Sequence, residues 1–392
     1  MLNRTAYFDN AATTFPKPEE VYRAMDSFYR ECGVNVGRGQ HKLATRAAAL
    51  VEETRGLLLD LNHCPAKRVV FTPSATEALN IILRGVGVSD GWNVYVSPFE
   101  HNAVMRVLHH ISKTSRIKIH TLAFDKTTFA YDLPQIAEQF AAHRPHMTVI
   151  SHASNVCGVV APIQKICAAS KKYGAINVID MAQTMGLLDT DLSTEVIDYA
   201  VFAGHKTLYG PLGVGGFICS ANARPEPLLY GGTGMDSANP DLPKTLPERY
   251  EVGSPNIAAI AGLNAALKWI QETGINNIRN QEKSSRKRLL EMLEKFDNIH
   301  LFPTLLHTLT QNENAWINNV SCAFDNYSAE DVGRILSERY IAVRTGLHCA
   351  PNAHRILGSF PAGTVRFSAA HFNTNANFVE LEEVLILIRN NS

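Results

Sequence analysis

Seven short apolar runs, separated by stretches with helical spacing, constrain this chain more than any other feature. "RVVFTP" (68–73), "NVYVSP" (93–98), "IKIHTLAF" (117–124), "MTVISHAS" (147–154), "INVIDMAQ" (176–183), "DYAVFAG" (198–204) and "GGFICS" (215–220) read as strands. Between them lie segments such as "SATEALNIILRGV" and "PIQKICAASKKYG", whose apolar residues recur at helical intervals. Strands alternating with helices predict an α/β fold built on a mainly parallel, seven-stranded sheet covered by helices. In such sheets ligands sit beyond the carboxyl ends of the strands, so the residues that follow each run are the candidates for chemistry.

From about Ser254 the texture changes. "PNIAAIAGLNAALKWIQETG" reads as a long helix, followed by a charged helix, strands near "NNVSCAF" and "TVRFSAA", and a last helix near "NFVELEEVLILIRN". This predicts a large domain over residues 15–253 and a smaller α+β domain over 254–392, the latter taking in the N-terminal segment 1–14.

Composition argues against several classes of main partner. Lys+Arg and Asp+Glu both number 37 in the 392 residues, so the formal charge is zero. Nucleic acids and anionic membranes call for a basic surface. No apolar run approaches a membrane span, and the start "MLNRTAYFDNAATT" has no apolar signal core, so a cytoplasmic protein is expected. The seven cysteines are odd in number, scattered and without a CxxC pair, which argues against both a disulfide framework and a structural zinc site.

The residues at the run ends each allow a plain and a functional reading. Thr76 in "TPSATEALN" stands at a turn before a helix, where a hydroxyl and free N–H groups make either a cap or an anion site. His101 in "SPFEHNAV" is either a hydrogen-bonded structural residue or a ring that stacks on a flat ligand or carries protons; no HxxxH or HExxH spacing makes a metal site with His109 and His110. Asn155 in "HASNVCGV" offers an amide to a ring substituent. Asp180 in "VIDMAQ" ends an apolar strand, where a carboxylate either caps a helix or needs a cationic partner. Lys206 in "YAVFAGHKTLYGPLGVGG" is either a solvated lysine at a strand end or an amine whose desolvation makes it a nucleophile.

Together these residues point one way. An acid for a pyridinium nitrogen, an amine for an aldehyde and an anion site for a phosphate are what pyridoxal 5′-phosphate requires. In the predicted second domain, Cys349 of "VRTGLHCAP" shares a loop with Arg344 and His348. Positive neighbours there raise the thiolate fraction, the alternative being an inert buried thiol. Arg366 in "TVRFSAAHFNT" suits a bidentate grip on a carboxylate.

At these residues the chain resembles the class V aminotransferase family and, within it, the cysteine desulfurases. "YFDNAATTFPKP", "ATEALN", "EHNAV", "IDMAQ", "GHK", "YEVGSPN", "RTGLHCAP" and "VRFSAAHFNT" match in order across nearly the whole chain. "RTGLHCAP" is similar to the short cysteine loop of the sulfur-mobilising and selenocysteine-lyase-like group. The resemblance implies the fold type I architecture of pyridoxal-phosphate-dependent transferases, a homodimer with active sites at the subunit interface, L-cysteine as substrate, and a possible sulfur-acceptor protein, as in iron–sulfur cluster assembly. It implies Lys206 as the Schiff-base lysine, Asp180 as the pyridinium partner and Gln183 as a donor to the phenolic oxygen. His101 would stack on the ring, Thr76 and His205 would bind phosphate, and Ser254 would reach the partner's phosphate. Asn155 would stand near ring and substrate, Arg366 with Arg344 would take the substrate carboxylate, and Cys349 would accept the sulfur. Selenocysteine lyase, another C–S lyase, an aminotransferase on the same scaffold and a catalytically silent binding protein remain the alternatives. One departure matters: Ala203 stands where the family usually has serine or threonine, so one phosphate hydroxyl is missing.

Overall fold

The computed structural model describes residues 5–36, 39, 41–235, 238–303 and 313–390. Residues 1–4 of the expected N-terminal segment and residues 304–312 and 391–392 of the expected C-terminal domain lie outside them.

The seven apolar runs form one seven-stranded sheet. Numbering strands in chain order, β1 is Ala6–Tyr7, β2 Arg68–Thr72, β3 Asn93–Val96, β4 Lys118–Thr121, β5 Met147–Ser151, β6 Ile176–Asp180, β7 Tyr199–Ala203 and β8 Gly215–Cys219. The sheet order is β2-β8-β7-β6-β5-β3-β4. The β3–β4, β3–β5, β5–β6 and β6–β7 pairs are parallel, and β8 runs antiparallel to both β7 and β2. Six strands therefore share one direction and end at one edge. The central strands β5, β7 and β8 are buried along their whole length, which is why they read as unbroken apolar runs rather than as alternating ones.

Helices α1 (Glu19–Cys32), α2 (Lys42–Leu61), α3 (Ala75–Gly85), α4 (Asn102–Ile111), α5 (Leu133–Ala142) and α6 (Ile163–Lys171) flank this sheet. The long helix α7 (Ile257–Thr273), expected to open the second domain, buries Ile260, Leu263, Leu267 and Ile270 in the core shared with Val51 and Leu58 of α2 and Phe202 of β7. On packing we propose that the division falls after α7 rather than near residue 254. The helix is apolar on nearly every face, so its pattern alone does not say which core it joins.

The C-terminal part carries a four-stranded antiparallel sheet. Its strands are β9 (Ile299–Phe302), β10 (Val320–Phe324), β12 (Arg344–Gly346) and β13 (Thr364–Phe367), in the order β9-β10-β13-β12. The short β11 (Ile341–Ala342) pairs in parallel with β1, so the chain's start is tied to this part. Helices α8 (Ile275–Leu293), α9 (Ala329–Glu338) and α11 (Asn375–Asn390) close its core, in which Phe8, Leu289, Leu336, Phe367 and Leu385 meet. The seven-residue helix α10 (Pro351–Leu357) follows the loop that holds Cys349. No helix among the described residues is long and apolar enough to cross a membrane, and no group of His, Cys, Asp or Glu among them is arranged to hold a metal.

Candidate active site

The carboxyl edge of the large sheet opens into a crevice of about 90 Å³. Its lining includes Thr76, His101, Asn155, Asp180, Gln183, Ala203, His205 and Lys206. Seven residues singled out from sequence are thus brought together with Ala203. Each follows or ends a strand: β2 leads to Thr76, β3 to His101, β5 to Asn155, β6 ends in Asp180, and β7 leads to His205 and Lys206.

One end of the crevice is built on the start of α3. Ser74 performs the capping, its Oγ accepting from Glu77 N at 3.2 Å, so Thr76 is not the cap. The first-turn N–H groups of a helix attract negative charge. Gly215 keeps this turn accessible, because a Cβ there would lie 2.9 Å from both Ala75 N and Ser74 C. The His205 ring borders the crevice with a buried Nδ1 that has no protein partner. Burial, then the charges of Lys206 and Lys17, push this imidazole down to about 4, so it is neutral near pH 7.

At the other end, Asp180 Oδ1 accepts from Ala182 N at 2.9 Å, which fixes the carboxylate at the strand terminus. Lys206 is the amine of the crevice. Burial lowers its pKa and the charge of Asp180 opposes that, while Arg366 and Arg344 add to the lowering. A desolvated amine of this kind is a usable nucleophile and proton acceptor. His101 caps α4, its Nδ1 accepting from Ala103 N at 3.0 Å, which leaves Nε2 to bear the proton. Burial first, then Lys206, pushes it down to about 4. Behind it Glu100 is fully buried and accepts from Ser97 Oγ, Ser151 N and Ser151 Oγ at 2.5, 2.6 and 2.9 Å. Burial pushes its carboxyl up to about 7. The only mark of Glu100 in the sequence is its place directly before His101.

The cysteine loop is tied to the crevice by its backbone. Asn102 N, in the first turn of α4, donates to the Cys349 carbonyl at 2.7 Å. Asn155 Nδ2 donates to the His348 carbonyl at 2.7 Å, so this amide holds the loop as well as lining the crevice. His348 and Cys349 have φ of +46° and +58°, two successive non-glycine residues in the left-handed region. Such strain persists only where surrounding structure imposes it. Arg344 Nη2 donates to Cys349 Sγ at 3.3 Å, and the thiol is partly exposed.

The second positive neighbour expected for this thiol is absent. His348 is buried, engages Thr364 Oγ1 at 2.9 Å through Nε2, and burial pushes it down to about 2. It is neutral, so of the two loop neighbours only Arg344 brings positive charge to the thiol. Arg366, in β13, is fully buried and already engaged: Nη2 donates to Asp9 at 2.6 Å and Nη1 to the Asn155 carbonyl at 2.9 Å. Its Nε is buried without a partner. Gln183 donates to Ala11 O and accepts from Asn319 Nδ2, so part of its donor capacity is spent within the protein.

Ser254 lies apart from the crevice. It is exposed and lines a larger cavity of about 470 Å³ together with Phe71, Leu229 and Tyr250. Glu251 anchors this stretch, bound by Arg55 at 2.8 and 2.6 Å and by Phe71 N at 2.6 Å.

Similarity to known proteins extends over nearly the whole chain. The family model described as aminotransferase class-V matches residues 6–381. A probable cysteine desulfurase of Pyrococcus abyssi is 31% identical over 98% of this chain and 92% of its own. One from Xylella fastidiosa (strain 9a5c) is 32% identical over 98% and 90%. Among solved structures, the apo cysteine desulfurase of Thermococcus onnurineus NA1 is similar with a TM-score of 0.90 at 29% identity, covering 100% of this chain and 96% of that one. The cysteine desulfurase CsdA of Escherichia coli, solved as its S-sulfonic acid, gives 0.85 at 25% identity over 99% and 95%.

Proposed function

This chain belongs to the aminotransferase class-V family, and from that membership and its crevice we propose that it is a pyridoxal-phosphate-dependent cysteine desulfurase. The observation that carries the reading is the tethering of Cys349 at a crevice that already holds Lys206 and Asp180, with Arg344 on its sulfur. The residues fit the cofactor: His205 Nδ1 is a buried polar atom in need of a partner, and the cradle at α3 is one that a Cβ on Gly215 would fill. Thr76, His205 and the first-turn amides of α3 would hold the phosphate, Asp180 the ring nitrogen, His101 the ring face and Gln183 the phenolic oxygen. When bound, pyridoxal phosphate supplies an aldehyde for an amine and an electron sink for charge on the substrate α-carbon.

The protein's own groups do the rest. Lys206 Nζ, its pKa lowered by burial, takes the proton from the substrate Cα. The substrate carboxylate is oriented by Arg366, whose Nε is unpaired in the protein, and by Arg344. Cys349 Sγ, as thiolate, attacks the substrate sulfur. The S–S bond forms as the substrate Cβ–S bond breaks, and the electron pair leaves with the three-carbon fragment. L-cysteine plus a thiol becomes L-alanine plus a persulfide on Cys349, with His101 Nε2 suited to carry a proton to the leaving fragment.

The working unit of this reading is a homodimer. Support comes from the exposed Ser254 on its large cavity and from the exposed Leu212, Leu229 and Tyr230. A second copy seated there would deliver Ser254 to the partner's phosphate site. The seven free cysteines suit a reducing, cytoplasmic setting. A sulfur-acceptor protein would then take the persulfide sulfur.

The test is to incubate the purified, cofactor-supplied protein with L-cysteine and assay alanine and sulfide together, with selenocysteine and cysteine sulfinate in parallel. Equimolar alanine and transferable sulfur are expected. Pyruvate and ammonia as products, or transamination of a keto acid without sulfur release, would overturn the reading. Ala203 supports a further expectation, since it lines the crevice without a hydroxyl. A hydrogen bond to a charged group contributes roughly 1.5–3 kcal/mol. Ala203→Ser should therefore retain pyridoxal phosphate about tenfold more tightly in equilibrium dialysis, and unchanged retention would count against that phosphate assignment.

A further inference from the structure

The turn that holds Lys206 is gripped from the N-terminal segment, and the grip converges on one side chain. The His205 carbonyl, which precedes Lys206, meets Lys17 Nζ at 2.7 Å, Thr13 Oγ1 at 3.0 Å, and Thr14 N and Oγ1 at 3.1 and 3.2 Å. The Lys206 carbonyl accepts from Thr14 Oγ1 at 2.5 Å and from Tyr209 N at 2.8 Å. Thr14 Oγ1 in turn accepts from Lys17 Nζ at 3.1 Å. Lys17 therefore reaches the carbonyl on each side of the lysine, one directly and one through a threonine hydroxyl.

Lys17 is an unusual residue to find there. It is half-buried, makes no ion pair among the described residues, and is surrounded by hydroxyls and a carbonyl. Its backbone is stiff: Pro16 and Pro18 flank it, a proline restricts the residue before it, and its own N–H donates to the Tyr22 hydroxyl at 3.0 Å. Burial alone pushes its amine down to about 7, a cost that an ordinary surface lysine avoids.

We propose that Lys17 is a positioning residue for Lys206: it clamps the two carbonyls that flank the nucleophilic lysine and so fixes the direction in which that side chain enters the crevice. The proposal rests on the reading of Lys206 as the cofactor and proton-transfer amine. An amine carries several N–H donors and so serves the His205 carbonyl and the Thr14 hydroxyl at once, where a third threonine with a single O–H could serve only one. Small misplacement of a reacting group costs up to about a hundredfold in rate.

The experiment compares Lys17→Met and Lys17→Arg with the parent, each full-length and saturated with pyridoxal 5′-phosphate. Lys17→Met is expected to lower kcat for alanine formation about 10- to 100-fold while KM for L-cysteine stays within about twofold. The visible circular dichroism of the bound chromophore should change, and Lys17→Arg should restore most of both. In parallel, hydrogen exchange without cofactor should find the Tyr209 amide about tenfold less protected in Lys17→Met. Parent-like kcat and dichroism in Lys17→Met overturn the proposal. Where Lys17→Met is not recovered folded, Thr14→Val cuts the relay to the Lys206 carbonyl and leaves the Lys17 amine in place. It must lower kcat with KM held, and parent-like behaviour overturns the proposal equally. A parent protein to which borohydride fixes no cofactor would defeat the functional reading instead, and the Tyr209 amide would still decide on the clamp.

Discussion

Lys206→Ala supplied with pyridoxal 5′-phosphate is expected to form no borohydride-stable adduct and to lose about 10⁴-fold or more in alanine production. The size follows from two roles vested in one atom. In the proposed mechanism Lys206 Nζ is both the attachment point for the cofactor aldehyde and the base for the substrate α-proton, and no other lysine lines the crevice among the described residues. Lys17, the other amine close to the turn, is committed to the His205 carbonyl. General base catalysis alone accounts for about 10²–10⁴-fold; loss of covalent attachment adds to it. The same change should leave the thermal midpoint of the cofactor-free protein level or higher, because it removes an amine that burial already disfavours in its charged form. Mass spectrometry after borohydride, amino-acid analysis and a thermal scan read these outcomes. A stable adduct at another lysine, or turnover within tenfold of the parent, would refute the assignment.

Much of this site was legible because of where the fold puts chemistry. Asp180, His101, Asn155 and Lys206 all terminate or follow apolar runs, and parallel strands bring such ends to one edge whatever lies between them. What escaped notice reaches the site through contacts that no local pattern encodes. Asp9 comes from the N-terminal segment to pair with Arg366, Lys17 crosses to the His205 carbonyl, and Glu100 is satisfied by Ser97, just past β3, and by Ser151 of β5. The neutrality of His348 has a related cause: proximity in sequence to Cys349 says nothing about burial, and burial removes the proton. Where the division falls near α7 is not legible in the sequence, because an alanine-rich helix apolar on most faces can join either core. The antiparallel turn of β8 within the sheet also has no mark in its sequence, since a fully buried strand reads the same in both directions.

The second large effect concerns the thiol. Cys349→Ala should bind the cofactor as the parent does, show the same absorbance, and lose persulfide formation from L-cysteine by about 10³-fold or more. Alanine is the right replacement because it keeps a Cβ in the left-handed conformation at +58°, so the loop's strain, its bond from Asn102 N and its bond from Asn155 all survive. Only the sulfur under Arg344 is removed. The loss should be smaller with selenocysteine, whose weaker carbon–selenium bond needs less help from a nucleophile. The ratio of the two rates therefore separates a lost nucleophile from a damaged loop, since damage would slow both substrates alike. Intact-protein mass spectrometry after a brief exposure to L-cysteine should find one added sulfur on the parent and none on Cys349→Ala. A variant that still releases sulfide at the parent rate would move the nucleophile elsewhere. The remaining six cysteines are all buried, Cys64, Cys167 and Cys219 with thiols that burial pushes up to about 11 or 12, so none is equipped to replace it.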